Sequence, residues 1–218
     1  MHDEEHFHRR HLPHLYLPNA VYFTTFRLSG SLPRLAVEQL REKSLLQKKS
    51  WIGFVDYDRA LEKTDPKVCW LANELIANSV AESIRLRDGK EYDLAAYCIM
   101  PNHVHMVIGL GRHELFMPVG QTEGRVDEPI RQVGQIGNLS NKPVSRIMQS
   151  LKRYTASTAN GILHRSGPFW QDESYDHVVR TETEFERVIN YVVYNPVKAG
   201  LVKEWRDWKW TYSAFGVD

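Results

Sequence analysis

The residues with the clearest capacity for chemistry are His103 and His105, two apart in the stretch Pro101-Asn102-His103-Val104-His105-Met106-Val107-Ile108. Val104, Val107 and Ile108 are β-branched and favour a pleated, half-buried strand. Side chains alternate across a strand, so both imidazoles point one way while Val104 and Met106 point the other. Two convergent imidazoles are half of a metal site, and a strand packed on its far side fixes their separation better than a loop would. A bare pair of this spacing reads more readily as two solvent-facing or core histidines. What shifts the balance is some ninety residues downstream, where Tyr191 and Asn195 stand one helical turn apart.

The elements that must position these groups follow from periodicity and punctuation. Tyr92 to Met100 and His103 to Leu110 read as paired strands joined through Pro101-Asn102, a dipeptide that breaks regular structure. Ala20 to Leu28 and Ser174 to Arg180 read as further strands. Helices are expected over Leu35 to Gln47, from Pro66 through Ile84, over Val144 to Leu163 and over Thr181 to Asn195. Thr181 as N-cap with Glu184 three residues on makes a capping-box pattern, and Pro196 is expected to end the last helix. On that helix Phe185, Val188, Ile189 and Val192 form the buried stripe. Tyr191 and Asn195 lie about 40° from each other and roughly 100° off it, so Tyr191 is not placed as a core aromatic. The tail with Trp205, Trp208, Trp210 and Tyr212 reads as an apolar strap over the sheet.

At 218 residues, 42% hydrophobic and 25% charged, the chain fits one soluble globular domain over residues 20–218, preceded by a flexible His-rich arm at 1–19. Residues 111–142 read as a long surface loop. There is no signal-peptide pattern and no apolar run long enough to span a membrane, so a cytoplasmic protein is expected. Cys69 and Cys98 lack CxxC spacing and read as reduced, buried and inert. The net charge of +1 gives no warrant for nucleic-acid binding, so any basic surface must come from arrangement. One such arrangement exists: Lys142 to Gln171 holds five Lys or Arg residues and no acid, with Arg146 and Arg153 on one helix face opposite the apolar stripe. Arg146, Lys152, Arg153 and Arg165 are accordingly the candidate DNA contacts.

Taken together, the motifs resemble the HUH-class single-tyrosine transposases, most closely their REP-associated branch. The resemblance is carried by Pro101-Asn102-His103-Val104-His105 and by Tyr191-Val192-Val193-Tyr194-Asn195-Pro196-Val197-Lys198-Ala199-Gly200-Leu201-Val202. Supporting matches are Tyr22 to Leu28, Ser150-Leu151-Lys152, and Ser166 to Gln171, so that the similarity runs from about Arg9 to Tyr212. It implies an α+β, ferredoxin-like antiparallel sheet with helices on one face, the HUH endonuclease fold. It implies further that His103 and His105 hold a divalent cation, Mg²⁺ or Mn²⁺, that Asn195 completes the protein's share through its amide oxygen, and that Tyr191 attacks a DNA phosphate. The partner implied is single-stranded or hairpin DNA, with no membrane, and the protomer is expected as a monomer although related insertion-sequence enzymes are dimers.

The residue types suit that chemistry. A tyrosine nucleophile forms a 5′-phosphotyrosyl link and leaves a free 3′-OH, conserving the bond energy for strand transfer. A phenol of pKa ~10 is mostly protonated at neutral pH, so the cation or a neighbouring group must also help it to lose its proton. Imidazole and amide-oxygen ligands suit Mg²⁺ or Mn²⁺ better than a thiolate site would. Tyr154, on the basic helix, is the competing nucleophile, but Thr158 rather than an amide stands four residues on. The competing function is a domesticated hairpin-binding DNA or RNA regulator that does not cut. It would need none of His103, His105, Tyr191 and Asn195. A metallohydrolase built on the histidine pair lacks a third carboxylate or histidine ligand at recognisable spacing.

Overall fold

In the computed structural model, the described residues are 6–9, 13–16, 19–32, 68–111, 144–172 and 174–217. The helix expected over 35–47 and, apart from Gly111, the loop expected over 111–142 lie outside them. His6–Arg9 (β1) and Pro13–Tyr16 (β2) pair antiparallel within the stretch read as an arm. The main sheet comprises Val21–Arg27 (β3), Asp93–Ile99 (β4), His103–Gly109 (β5), Tyr175–Val179 (β6) and Thr211–Ser213 (β7). All neighbours are antiparallel and the order is β6-β3-β5-β4-β7, so the strand carrying both histidines is the central one. Strands on both sides hold it in register, which fixes the imidazoles from two directions. The fifth strand comes from the tail, where a strap was expected; Thr211–Ser213 caps the β4 edge in register with Ala96 to Cys98. Trp208 Nε1 donates to the Ile99 carbonyl and Trp210 Nε1 to Asn78 Oδ1, anchoring the two indoles that flank that turn.

Among the described residues the α-helices are Glu74–Arg85 (α1), Val144–Ile162 (α2) and Glu182–Lys198 (α3). They cover both faces of the sheet, which corrects the one-face arrangement that the family resemblance implied. On one face Tyr22, Phe26, Val104, Met106 and Ile108 pack with Ile76, Val80 and Ile84 of α1 and Ile147, Met148 and Leu151 of α2. On the other, Val21, Phe23, Ala96, Cys98 and Val107 pack with Phe185, Val188, Ile189, Val192 and Val193 of α3. The reason is in the strands themselves: every residue of β3 and of β5 is buried, and a strand without a polar face must be covered twice. Each fully buried Val, Ile or Phe contributes about 1.5–3 kcal/mol, and α3 supplies much of one layer this way. Cys98 is buried and Cys69 half-buried, and neither is in a disulfide. Among the described residues no helix is long and apolar enough to cross a membrane.

Two helix boundaries differ from expectation for local reasons. The first lies in α1, which starts at Glu74 rather than near Pro66, because Asn73 accepts from the N–H groups of Leu75 and Ile76 and caps it, while Trp70–Ala72 form a separate 3₁₀ turn. In α3 the helix runs through Pro196 to Lys198. A proline this close to the C-terminus forgoes one backbone bond, and the end is closed by Ala199 N–H to the Asn195 carbonyl and Leu201 N–H to the Pro196 carbonyl. Asn195 therefore sits inside a helical turn, not at a frayed end.

The start of α3 is stapled to β6. Thr181 Oγ1 accepts from Glu184 N–H (3.1 Å), while the Glu184 carboxylate accepts from Arg180 N–H (2.8 Å) and pairs with His177 Nε2 (2.8 Å). Burial raises the Glu184 carboxyl, but the Arg180 N–H, His177 and the Arg187 charge outweigh it and leave it below the usual carboxylate range. A depressed carboxyl contributes stability above its unfolded value, near ~4.3, that is lost as pH falls through the folded value. Glu184→Gln is thus expected to cost about 1 kcal/mol in thermal denaturation at pH 7 and much less at pH 3. Equal losses at both pH values would remove the charge from this account.

Candidate metal and tyrosine site

His103 opens β5 directly after the Pro101-Asn102 turn, which Met100 N–H closes by donating to the His103 carbonyl (2.9 Å). Both imidazoles are buried, on the α3 face of the sheet, and their Nε2 atoms stand 3.0 Å apart. The other ring nitrogens are anchored: His103 Nδ1 lies 2.6 Å from Asn102 Oδ1, and His105 Nδ1 lies 2.7 Å from Thr25 Oγ1. With Asn102 Oδ1 accepting from Nδ1–H, His103 Nε2 presents a lone pair. With Nδ1–H of His105 donating to the Thr25 hydroxyl, the second Nε2 does the same. Two lone pairs at this distance repel unless a proton or a cation is shared between them.

Two imidazoles and an amide are a donor set that could hold a divalent cation. Two nitrogens each about 2.1 Å from one octahedral ion, at right angles, stand about 3.0 Å apart, which is the separation found. Asn195 enters from α3, fully buried, with its amide 3.3 Å from His105 Nε2. Turning that amide end for end exchanges its nitrogen for the carbonyl oxygen at the same place, the atom a cation requires. Among the described residues no cluster of three or more His, Cys, Asp or Glu side chains gathers. The site is thus two imidazoles and an amide, and not an acid-rich cage.

Tyr191 reaches the same group from one turn earlier on α3. Its half-buried ring meets His105 edge-on, centroids 5.7 Å apart, packs against Phe23 at 6.3 Å, and has the Lys198 ammonium 5.3 Å from its centroid. His103, His105, Tyr191 and Asn195 are therefore brought together. Tyr154 is not; it is 57% exposed on α2, a helix that packs on the opposite face of the sheet.

The candidate DNA contacts divide. Arg146 and Arg153 are exposed on α2, on the face opposite its buried stripe. Lys152 is buried, its Nζ donating to the Asp172 carbonyl at 2.9 Å, because it falls four residues after Met148 and beside Leu151 on the inward side. Arg165 lies 3.9 Å over the Trp70 ring and donates to the Pro168 carbonyl. The four cations do not form one surface. Sequence reasoning also passed over Thr25 and Asn102, which meet the Nδ1 atoms of the two histidines. Asn102 had a local signal, next to His103, whereas Thr25 is identified only by its register opposite His105.

No family model matches the chain. A "Putative REP-associated tyrosine transposase" of Haemophilus influenzae is 23% identical over 127 residues, 58% of this chain and 61% of that protein. An uncharacterized protein of the same organism is 26% identical over 104 residues, 46% of this chain and 52% of that one. The chain thus spans between half and two thirds of the length of the curated relatives it matches. A solved structure of the REP-associated tyrosine transposase bound to a REP hairpin aligns with 94% of this chain and 80% of that one, at 16% identity and a TM-score of 0.45. In sequence, then, the chain is similar over 127 residues to a protein named a putative REP-associated tyrosine transposase.

Proposed function

We propose that this protein is a metal-dependent single-stranded DNA endonuclease and strand transferase acting on hairpin-bearing strands. The observation that carries the reading is the convergence of Tyr191 and Asn195, one turn apart on α3, on the His103–His105 pair of the central strand. His103, His105 and Asn195 would hold Mg²⁺ or Mn²⁺, which when bound polarises a phosphate and offsets charge developing on it. The phenol of Tyr191 displaces the 3′ oxygen at phosphorus, forming a 5′-phosphotyrosyl link and releasing a 3′-OH. Burial of the histidines and the anchoring of their Nδ1 atoms preorganise the group, so little rearrangement is needed when the strand arrives. The relative's name, a putative REP-associated tyrosine transposase, supports a tyrosine nucleophile and an association with REP elements.

The test is to incubate the protein with hairpin-bearing oligonucleotides from its own genomic flanks and Mn²⁺, then look for a covalent adduct under denaturing conditions. An adduct supports the reading; tight hairpin binding without one returns the chain to the regulator alternative. The basic face of α2 gives a separate expectation for binding. If Arg146 and Arg153 touch phosphates, their double alanine variant loses roughly 1.4 from the log–log salt slope for single-stranded DNA, about 0.7 for each contact. An unchanged slope assigns that face to solvent.

A further inference from the structure

The end of β3 carries a charge that the site above does not use. Arg27 is the last residue of that strand, 4% exposed, and stands opposite His103 in register. Alternation places it on the same face as Thr25 and Phe23, which touch His105. Directly opposed residues bring their Cβ atoms within about 4.5–5.5 Å, so the Arg27 side chain leaves the sheet beside the imidazole of His103. The backbone there is locked: Gln171 N–H donates to the Arg27 carbonyl, and Leu28 N–H to the Asn102 carbonyl.

Among the described residues the hydrogen-bond partner of this guanidinium is neutral. Its Nη1 donates to Ser31 Oγ at 3.2 Å, a buried hydroxyl, and among the described residues no carboxylate pairs with it. Burying a guanidinium with a hydroxyl as its partner is costly, because the lost hydration is not replaced by an opposite charge. The neighbouring His103, His105 and Asn195 do not supply one, and a cation among them would add to the imbalance. An anion would balance this corner of the sheet, and a planar fork of N–H donors matches the paired oxygens of a phosphodiester.

We propose that Arg27 binds a DNA phosphate within one nucleotide of the one Tyr191 attacks, holding it against the histidine pair. The inference rests on the DNA-cleaving reading and deepens it by naming a phosphate-binding residue that is distinct from the exposed arginines of α2.

The test measures binding by fluorescence anisotropy in the presence of a chelator, so that cleavage plays no part. In a hairpin oligonucleotide each phosphate near the cut is replaced in turn by a neutral methylphosphonate. Wild type is expected to lose about tenfold in affinity at one linkage next to the cut, as for a charge-assisted hydrogen bond. Arg27→Gln should bind the unmodified strand about tenfold more weakly and show no further loss at that linkage, while penalties elsewhere persist. A variant that keeps every wild-type penalty overturns the proposal and leaves DNA binding intact. If Arg27→Gln does not fold, by circular dichroism, Arg27→Lys decides. A single ammonium in place of the fork should reduce the step to about threefold, and an undiminished tenfold step would refute the assignment. Wild type that binds no oligonucleotide overturns the functional reading itself, and this inference with it.

Discussion

Tyr191→Phe is expected to abolish covalent protein–DNA adduct formation, by several orders of magnitude, while leaving the fold and the binding of metal and DNA in place. The substitution removes one oxygen and keeps the ring that packs edge-on against His105 and against Phe23, so the α3 layer is not opened. What disappears is the atom that must form the phosphotyrosyl bond. Tyr154→Phe serves as the control, since Tyr154 is exposed on α2 across the sheet from the histidines and should give adduct at the wild-type rate. Peptide mapping of the adduct decides between them. A nucleotide found on Tyr154, or an adduct that survives Tyr191→Phe, would overturn the assignment and with it the role given to Asn195.

The second large effect concerns His103. Replacing it with alanine takes away one of two Nε2 atoms 3.0 Å apart, and also leaves Asn102 Oδ1 without the ring nitrogen it now faces. Loss of a partner that merely orients a ligand typically costs 10–100-fold in metal affinity, so loss of a ligand should cost more than about a hundredfold. Cleavage should fall to background at micromolar Mn²⁺, with hairpin affinity measured in a chelator little changed. Titration calorimetry with Mn²⁺ and the adduct assay read the two parts separately. Normal cleavage by His103→Ala would show that the pair is a core feature and that the chemistry lies elsewhere.

Much of this site was legible in the sequence because its parts are local. Strand alternation alone puts His103 and His105 on one face, and helix pitch alone puts Tyr191 and Asn195 side by side. Thr181 as a cap and Pro101-Asn102 as a turn act within a few residues, where intrinsic propensity decides, and the structure has both where the sequence puts them. The inward stripes of α2 and α3 were likewise set by spacing.

What the tertiary structure decided depends on contacts between segments far apart in the chain. That the sheet is covered on both faces follows from β3 and β5 being buried along their whole length, a pattern that no single helix stripe reveals. The tail became an edge strand because β4 offered unpaired backbone groups, and Lys152, inward by its place on α2, has its ammonium met by the Asp172 carbonyl. Helix pitch places Tyr191 and Asn195 together, but only the packing of α3 onto the sheet brings them to the histidines. The 3.0 Å gap between imidazoles, Thr25 behind one of them and Arg27 opposite the other were set by strand register across some eighty residues of chain. Sequence period carries which face a side chain takes; register and packing, which are sums over distant partners, carry what it meets there.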